Sequence, residues 1–342
     1  MRDQLQFDFC PYARPFQPPL QTHHGEWSVR QGLLLKLQDQ DGRIGWGEVA
    51  PVDFLGSESF AQAVNFCRSL PSQIAVEQIW QIPSSLPACQ FGFEAAYEQL
   101  QPQRHSSNLT DSNPANSSPR FATSILLPTG AAALESPHLF ASATDHSQTS
   151  GTTFKWKIGI APIETKLAIF EDLISLLPAG AKLRLDANGG LSWQQAAIWL
   201  RLCDAYNIEY LEQPLPPHQF EQILKLSQRH NTPIALDESI ATLAQLQTYY
   251  QHNWRGIFVI KAPIVGFPSQ LRQFCQTHKI DIVWSSVFET SIARRYTETY
   301  LMSVVPSSRA TGFGVGHWFH DRWEDIPVEQ LWQKLHSLNR VS

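Results

Sequence analysis

Five charged residues recur through the middle of this chain at nearly equal intervals, each closing a short apolar run. The segments are Phe154-Lys155-Trp156-Lys157, Leu183-Arg184-Leu185-Asp186, Tyr210-Leu211-Glu212, Ala235-Leu236-Asp237 and Phe258-Val259-Ile260-Lys261. From Lys157 onward the steps are 29, 26, 25 and 24 residues, the length that one strand, one helix and two loops occupy in a repeated β/α unit. The intervening stretches carry helical signals. Ile163, Leu167, Phe170, Leu173, Ile174 and Leu177 share one face at helical spacing. Ser192 precedes a Gln three residues on, as in a capping box, and Pro268 stands in the first turn after Gly266. The stretches 217–230 and 240–252 are amphipathic in the same way. Successive β/α units with short connections predict an all-parallel sheet covered by helices. Closure into a barrel is favoured over an open sheet, because charge marks the carboxyl end of every strand in turn. In a barrel all those ends face one mouth; in an open sheet only the switch point is functional.

The flanks differ in kind. Residues 1–50 read as an antiparallel meander, with a turn at Asp41-Gly42 and Gly45-Trp46-Gly47-Glu48-Val49 closing a hairpin. A helix is expected from Ser57 or Ser59, and another within 75–100. Residues 101–119 are nearly devoid of apolar side chains, which predicts a mobile linker. Phe121–Leu127 supplies the first barrel strand, 281–286 the seventh with its helix over 290–305, and 311–317 a last short strand. The expected domains are therefore an α+β cap over 1–120 ending in the linker, a barrel over 121–316, and an aromatic return over 317–342 that packs on the cap. A net charge of −5 gives no pull toward nucleic acid, and no apolar run is long enough to predict a membrane span. The first residues lack a basic region followed by an apolar core, and the five cysteines are scattered without a CxxC. The expected location is the cytoplasm.

Asp186, Glu212 and Asp237 come from neighbouring strand ends, so their carboxylates are expected to converge. Three like charges left together raise one another's pKa, and a hard divalent cation relieves the repulsion. An all-oxygen set without His or Cys points to Mg²⁺, with Mn²⁺ as a substitute, and away from zinc. A single acid after a strand is as often a helix cap; three in register are not. Lys155 and Lys157 lie two apart, hence on one face of their strand, and Lys261 ends a strand across the mouth. A lysine among apolar walls or other cations becomes a base near neutral pH. Set beside a bound cation, that base can remove the proton next to a substrate carboxylate. The plainer alternative is that the lysines only neutralise the acids.

The Lys-x-Lys strand and the Asp186-Ala187-Asn188, Glu212-Gln213-Pro214, Asp237-Glu238-Ser239 and Ile260-Lys261-Ala262 segments resemble the enolase superfamily, in its muconate-lactonising subgroup. Within it the chain is most similar to the o-succinylbenzoate synthase family. Gly45–Pro51 resembles that family's cap, before a loop over the mouth. The resemblance implies a modified TIM barrel, (β/α)7β, with an N-terminal α+β cap, and Asp186, Glu212 and Asp237 as metal ligands. It implies a lyase acting on a small carboxylate. The reaction is a syn dehydration of 2-succinyl-6-hydroxy-2,4-cyclohexadiene-1-carboxylate to o-succinylbenzoate, through a metal-stabilised enediolate, in menaquinone or phylloquinone biosynthesis. Lys157 would take the proton and return it to the departing hydroxyl; Lys261 would hold the enediolate. Arg184, facing the barrel two residues before Asp186, is expected to support substrate or metal ligands, with Lys155 beside it. Asn188 and Glu238 would orient those ligands, and Ser285 and Ser286 would bind the succinyl carboxylate. N-acylamino acid racemases and dipeptide epimerases of the superfamily share the same machinery and stand as the alternative.

Overall fold

The computed structural model describes residues 4–22, 25–101, 121–141, 151–159 and 162–339; apart from Gln101, the expected linker lies outside them. The cap is built on a four-stranded antiparallel sheet, in the order β3-β2-β1-β4, from β1 (Gln4–Thr22), β2 (Gly25–Gln38), β3 (Ile44–Val49) and β4 (Gln73–Ala75). The unbroken run Leu33-Leu34-Leu35 in β2 reflects burial on both faces. Leu33, Leu35 and Leu37 join the core under the cap helices, while Leu34 meets Leu331, Trp332 and Leu335. Those last three belong to the helix Val328–Asn339, so the aromatic return lies against the face of the cap sheet opposite the cap helices. The helix Phe60–Ser69 starts at a Ser59–Gln62 capping box, and Pro87–Glu98 begins with proline. Gly45 and Gly47 let the helix Pro87–Glu98 press directly on β3, since a Cβ at either would strike the carbonyl of Ala96 or Gly92.

The second sheet is parallel and in chain order: β5 (Ile125–Leu126), β6 (Thr153–Lys157), β7 (Lys182–Asp186), β8 (Tyr210–Glu212), β9 (Ile234–Leu236), β10 (Ile257–Ile260) and β11 (Asp281–Trp284). The segment 311–312 joins its two edges. Gly312 N donates to Trp284 O at 2.8 Å, and Thr311 N to Ala122 O at 2.7 Å, with parallel bridges Ser285–Gly312 and Thr123–Thr311. The expected last strand is thus reduced to single bridges, and they close the barrel. Outward residues such as Trp156, Leu185, Leu211, Leu236 and Ile260 pack under the helices in the main core, whereas Tyr210, Ala235, Ile257, Val259 and Val283 fill the interior. The helix expected over 290–305 is shorter, Ser291–Tyr296 running into one wide turn at Thr297–Leu301. Among the described residues no helix is long and apolar enough to cross a membrane.

Cap and barrel are fastened by buried carboxylates. Glu48 of β3 accepts from Tyr12 Oη (2.6 Å), from Thr290 N and Oγ1, and from Ala293 N, capping the helix Ser291–Tyr296. Glu98 accepts from Arg272 and from Tyr296 Oη at 2.7 Å. Glu94 accepts from Ser269 N (3.1 Å) at the start of the helix Pro268–His278. Burial, helped by the charge of Glu98, raises the Glu94 carboxyl to about 7. A carboxyl raised on folding stabilises the folded state fully below its unfolded pKa, and this contribution is lost as pH rises through 7. At about 1.4 kcal/mol per unit the effect is about 3 kcal/mol. Glu94→Gln should therefore unfold like the wild type near pH 4.5 and be the more stable of the two at pH 8 in denaturant titrations. Parallel stability–pH curves for the two proteins would refute this.

Candidate active site

Strand register sets the site. Lys157 pairs with Asp186 and Asp186 with Glu212, one rung across β6, β7 and β8. Glu212 pairs with Ala235, and Ala235 with Ile257. Side chains alternate along a strand, so Asp237 and Lys261, two and four residues farther on, face inward on the same wall. β6 and β10 lie four strands apart in a barrel of eight counting the closing segment, which puts Lys157 and Lys261 on opposite sides of the three acids.

The ammonium groups stand among the carboxylates. Lys155 Nζ lies 2.9 Å from Asp186 Oδ2 and 2.7 Å from Glu212 Oε1. Burial opposes its charge, but the two carboxylates outweigh burial and hold Lys155 above the usual lysine range. Burial likewise opposes ionisation of Asp186, and Lys155 and Lys157 overcome it, so its pKa is lowered. Lys155 is thus a fixed counter-ion. Lys261 closes on Asp237 Oδ1 without the angles of a hydrogen bond. Burial, together with the charges of Lys155 and Lys157, lowers Lys261 to about 7 against the pull of Glu212. Lys157 Nζ donates to Asn188 Oδ1 at 3.0 Å, and Asn188 Nδ2 donates to Glu238 Oε1 at 2.9 Å. Burial and then the Asp186 charge raise Glu238 to about 7. Among the described residues no three acidic, His or Cys side chains are gathered as tightly as one ion gathers them; the ammoniums separate them. Three buried carboxylate oxygens nonetheless lack any hydrogen-bond partner: Glu212 Oε2, Asp237 Oδ1 and Glu238 Oε2. Carboxylate oxygens left without a hydrogen bond, in a donor set free of His and Cys, suit a hard divalent cation.

Several expected residues are brought together here and others are not. Lys155, Lys157, Asp186, Asn188, Glu212, Asp237, Glu238 and Lys261 lie in one connected cluster. Ser285 ends β11 on the inward face, half-buried. Arg184 does not reach the acids. Two residues before Asp186 means the same face but one layer deeper, where Arg184 donates to Glu209 Oε2 (2.6 Å) and Ala310 O (2.8 Å) at the barrel floor. Ser286 is likewise committed: its Oγ donates to Glu289 Oε2 (2.7 Å) and accepts from Phe288 N and Arg294 Nη2, which leaves it as a turn-former. Gln213 was given no role by the sequence. It is fully buried at φ +34°, its Nε2 donates to Leu215 O and Ser239 Oγ, and its Oε1 accepts from Asp237 N and Ser239 N. Gln213 therefore pins the loop that carries Asp237. Its signal was its place beside Glu212, at the end of a strand that presents an acid. Left-handed φ recurs at Asn188 (+46°) and Phe288 (+60°), the kind of backbone strain that collects at functional sites.

A family model described as Enolase C-terminal domain-like matches residues 140–332, and one described as MenC, N-terminal domain, matches residues 6–100. The o-succinylbenzoate synthase of Thermosynechococcus vestitus is 37% identical over 340 residues, covering 95% of this chain and 97% of its own. The chain belongs to the o-succinylbenzoate synthase family of the enolase superfamily. A member of that family from Thermosynechococcus elongatus, solved with magnesium in its active site, superposes with a TM-score of 0.82 at 35% identity, over 96% of this chain and 99% of the other. The L-Ala-D/L-Glu epimerase of Bacillus subtilis shares the fold, with a TM-score of 0.69 at 17% identity over 92% and 90% of the two chains. The family's parallel barrel and antiparallel cap are both present here, with the cap sheet and the barrel mouth brought together at Glu48 and Thr290.

Proposed function

We propose that this chain catalyses the Mg²⁺-dependent syn dehydration of 2-succinyl-6-hydroxy-2,4-cyclohexadiene-1-carboxylate to o-succinylbenzoate, the aromatising step that serves menaquinone or phylloquinone biosynthesis, in the cytoplasm. The observation that carries the reading is the inward wall on which Lys157 and Lys261 flank Asp186, Glu212 and Asp237. Those three carboxylates would hold Mg²⁺, or Mn²⁺ in its place. Bound there, the cation supplies positive charge to a substrate carboxylate whose negative charge grows in the reaction.

The remaining work falls to the chain's own groups. Lys157, held by Asn188, is placed to take the proton from the ring carbon beside the carboxylate. The electron pair left behind forms an enediolate. Lys261, on the other side of the three acids, would offer its protonated form to that developing charge. The proton on Lys157 then passes to the hydroxyl on the same face; the C–O bond breaks, water leaves and the ring becomes aromatic. One base serves both transfers because the leaving group and the proton share a face. Lys155 takes no proton: paired to Asp186 and Glu212, it keeps the acids ionised and in place.

An ultraviolet assay of aromatisation tests the reading. The wild type with Mg²⁺ is expected to turn over the cyclohexadiene acid, and chelation to stop it. No turnover with Mg²⁺, together with exchange of the α-proton of an N-acylamino acid, would instead assign the site to racemisation.

A further inference from the structure

One buried charge takes no part in the chemistry above and is only partly satisfied by the fold. Arg30, in β2, is 1% exposed. Its Nη1 donates to the carbonyls of Gln31 and Pro51, but Nε and Nη2 have no partner among the described residues. A guanidinium keeps its charge in a protein and offers five donors. Leaving part of it dry and unpaired costs several kcal/mol, so such a group ordinarily faces an anion. Its cross-strand neighbour provides the comparison. Arg14 pairs with Arg30 in the β1–β2 register and uses the same edge, Nε and Nη2, to grip both oxygens of Asp321 at 2.8 and 2.7 Å. The equivalent edge of Arg30 is open. The acid on this side of the sheet, Glu48, has both oxygens filled by Tyr12, Thr290 and Ala293.

The surroundings place Arg30 beside the turn that leads to the mouth. Pro51, which accepts from Arg30, precedes the turn Asp53–Leu55, and Leu55 lines the small cavity that contains Asp237, Glu238 and Lys261. The guanidinium carbon lies 5.7 Å from the centre of the Trp27 ring. Trp27 meets Phe54 and Phe288 edge-on, at 5.2 and 5.5 Å, and Phe288 lies three residues past Ser285. Arg30 thus stands where the cap, the turn over the mouth and the loop after β11 come together.

We propose that Arg30 is a substrate-binding residue that holds a second carboxylate, one carried on a side arm away from the reacting carbon, in a two-point grip through Nε and Nη2 beside Trp27. This rests on the dehydration reading, whose substrate bears such an arm in its succinyl group. It also supplies the anchor that Ser286, committed to Glu289, does not. A paired guanidinium and carboxylate desolvated together discriminate strongly against a neutral isostere, because the neutral arm leaves the charge unanswered.

The test compares the acid substrate with its succinyl monoamide in the wild type, Arg30→Met and Arg30→Lys. The wild type should prefer the acid by about 10²- to 10³-fold in kcat/KM, mostly through KM. Arg30→Met should lose that factor with the acid and little more with the amide, so that the preference collapses toward one; Arg30→Lys should keep part of it. An undiminished preference in Arg30→Met overturns the assignment. If that variant does not fold, quenching of tryptophan fluorescence in the wild type by o-succinylbenzoate and by its monoamide decides: equal affinities overturn the assignment, and a gap of the stated size supports it. A wild type that turns over acid and amide alike removes Arg30's role alone. One that turns over neither removes the dehydration reading and this assignment with it.

Discussion

Replacing Lys157 by alanine should lower dehydration turnover by about 10⁴-fold, the upper end of what a positioned general base contributes, because this amine handles the proton twice. Lys157 is only half-buried, and its ammonium donates to Asn188, so the change should leave the unfolding free energy within about 1 kcal/mol of the wild type. Lys157→Arg sharpens the test. Arginine keeps the positive charge and much of the reach, yet does not give up its proton at neutral pH. If Lys157 is the base, the arginine variant is as inactive as the alanine variant. An arginine variant with more than about a tenth of wild-type turnover would make Lys157 an electrostatic group and move the proton transfer elsewhere.

Glu212→Gln should have an effect nearly as large by a different route. Glu212 is the middle acid of the three, wholly buried, with Oε1 against Lys155 and Oε2 unpaired. An amide is nearly isosteric and fits the same space, but it withdraws one of the charges that make the cluster a cation site. Loss of a metal that supplies several kcal/mol to the transition state corresponds to at least about 10³-fold in turnover. A second readout needs no turnover. A ligand at about a hundred times its Kd stabilises a protein by about 2.7 kcal/mol, so Mg²⁺ should raise the melting temperature of the wild type by a few degrees and leave that of Glu212→Gln unmoved. Equal shifts in both proteins would place the ion somewhere else.

The readability of this chain followed the range of the interactions involved. Strand ends at Lys157, Asp186, Glu212, Asp237 and Lys261 were legible because a period of two fixes the face and a regular spacing fixes the neighbour. The helix Trp193–Tyr206 was legible at its start, since Ser192 and Gln195 form their capping box within one turn. Arg184 shows where that logic stops: alternation tells which face a residue takes but not at what depth its side chain ends, and Glu209 claims it first. The closing segment was legible as a short strand from its glycines, but its reduction to single bridges depends on main-chain bonds to Trp284 and Ala122. The role of Glu48 was missed for a related reason. Glu48 finds Thr290 at a separation of 242 residues, and no local pattern announces a partner that distant. Ser286 misled because a hydroxyl after a strand looks the same whether it awaits a ligand or ties off a turn.

The fastening of cap to barrel limits how molecules reach the mouth. Swinging the cap away as one piece would break at once the hydrogen bonds that Glu48, Glu94 and Glu98 make to the barrel. Cap and barrel are then expected to move as one body and not as a jar with a lifting lid.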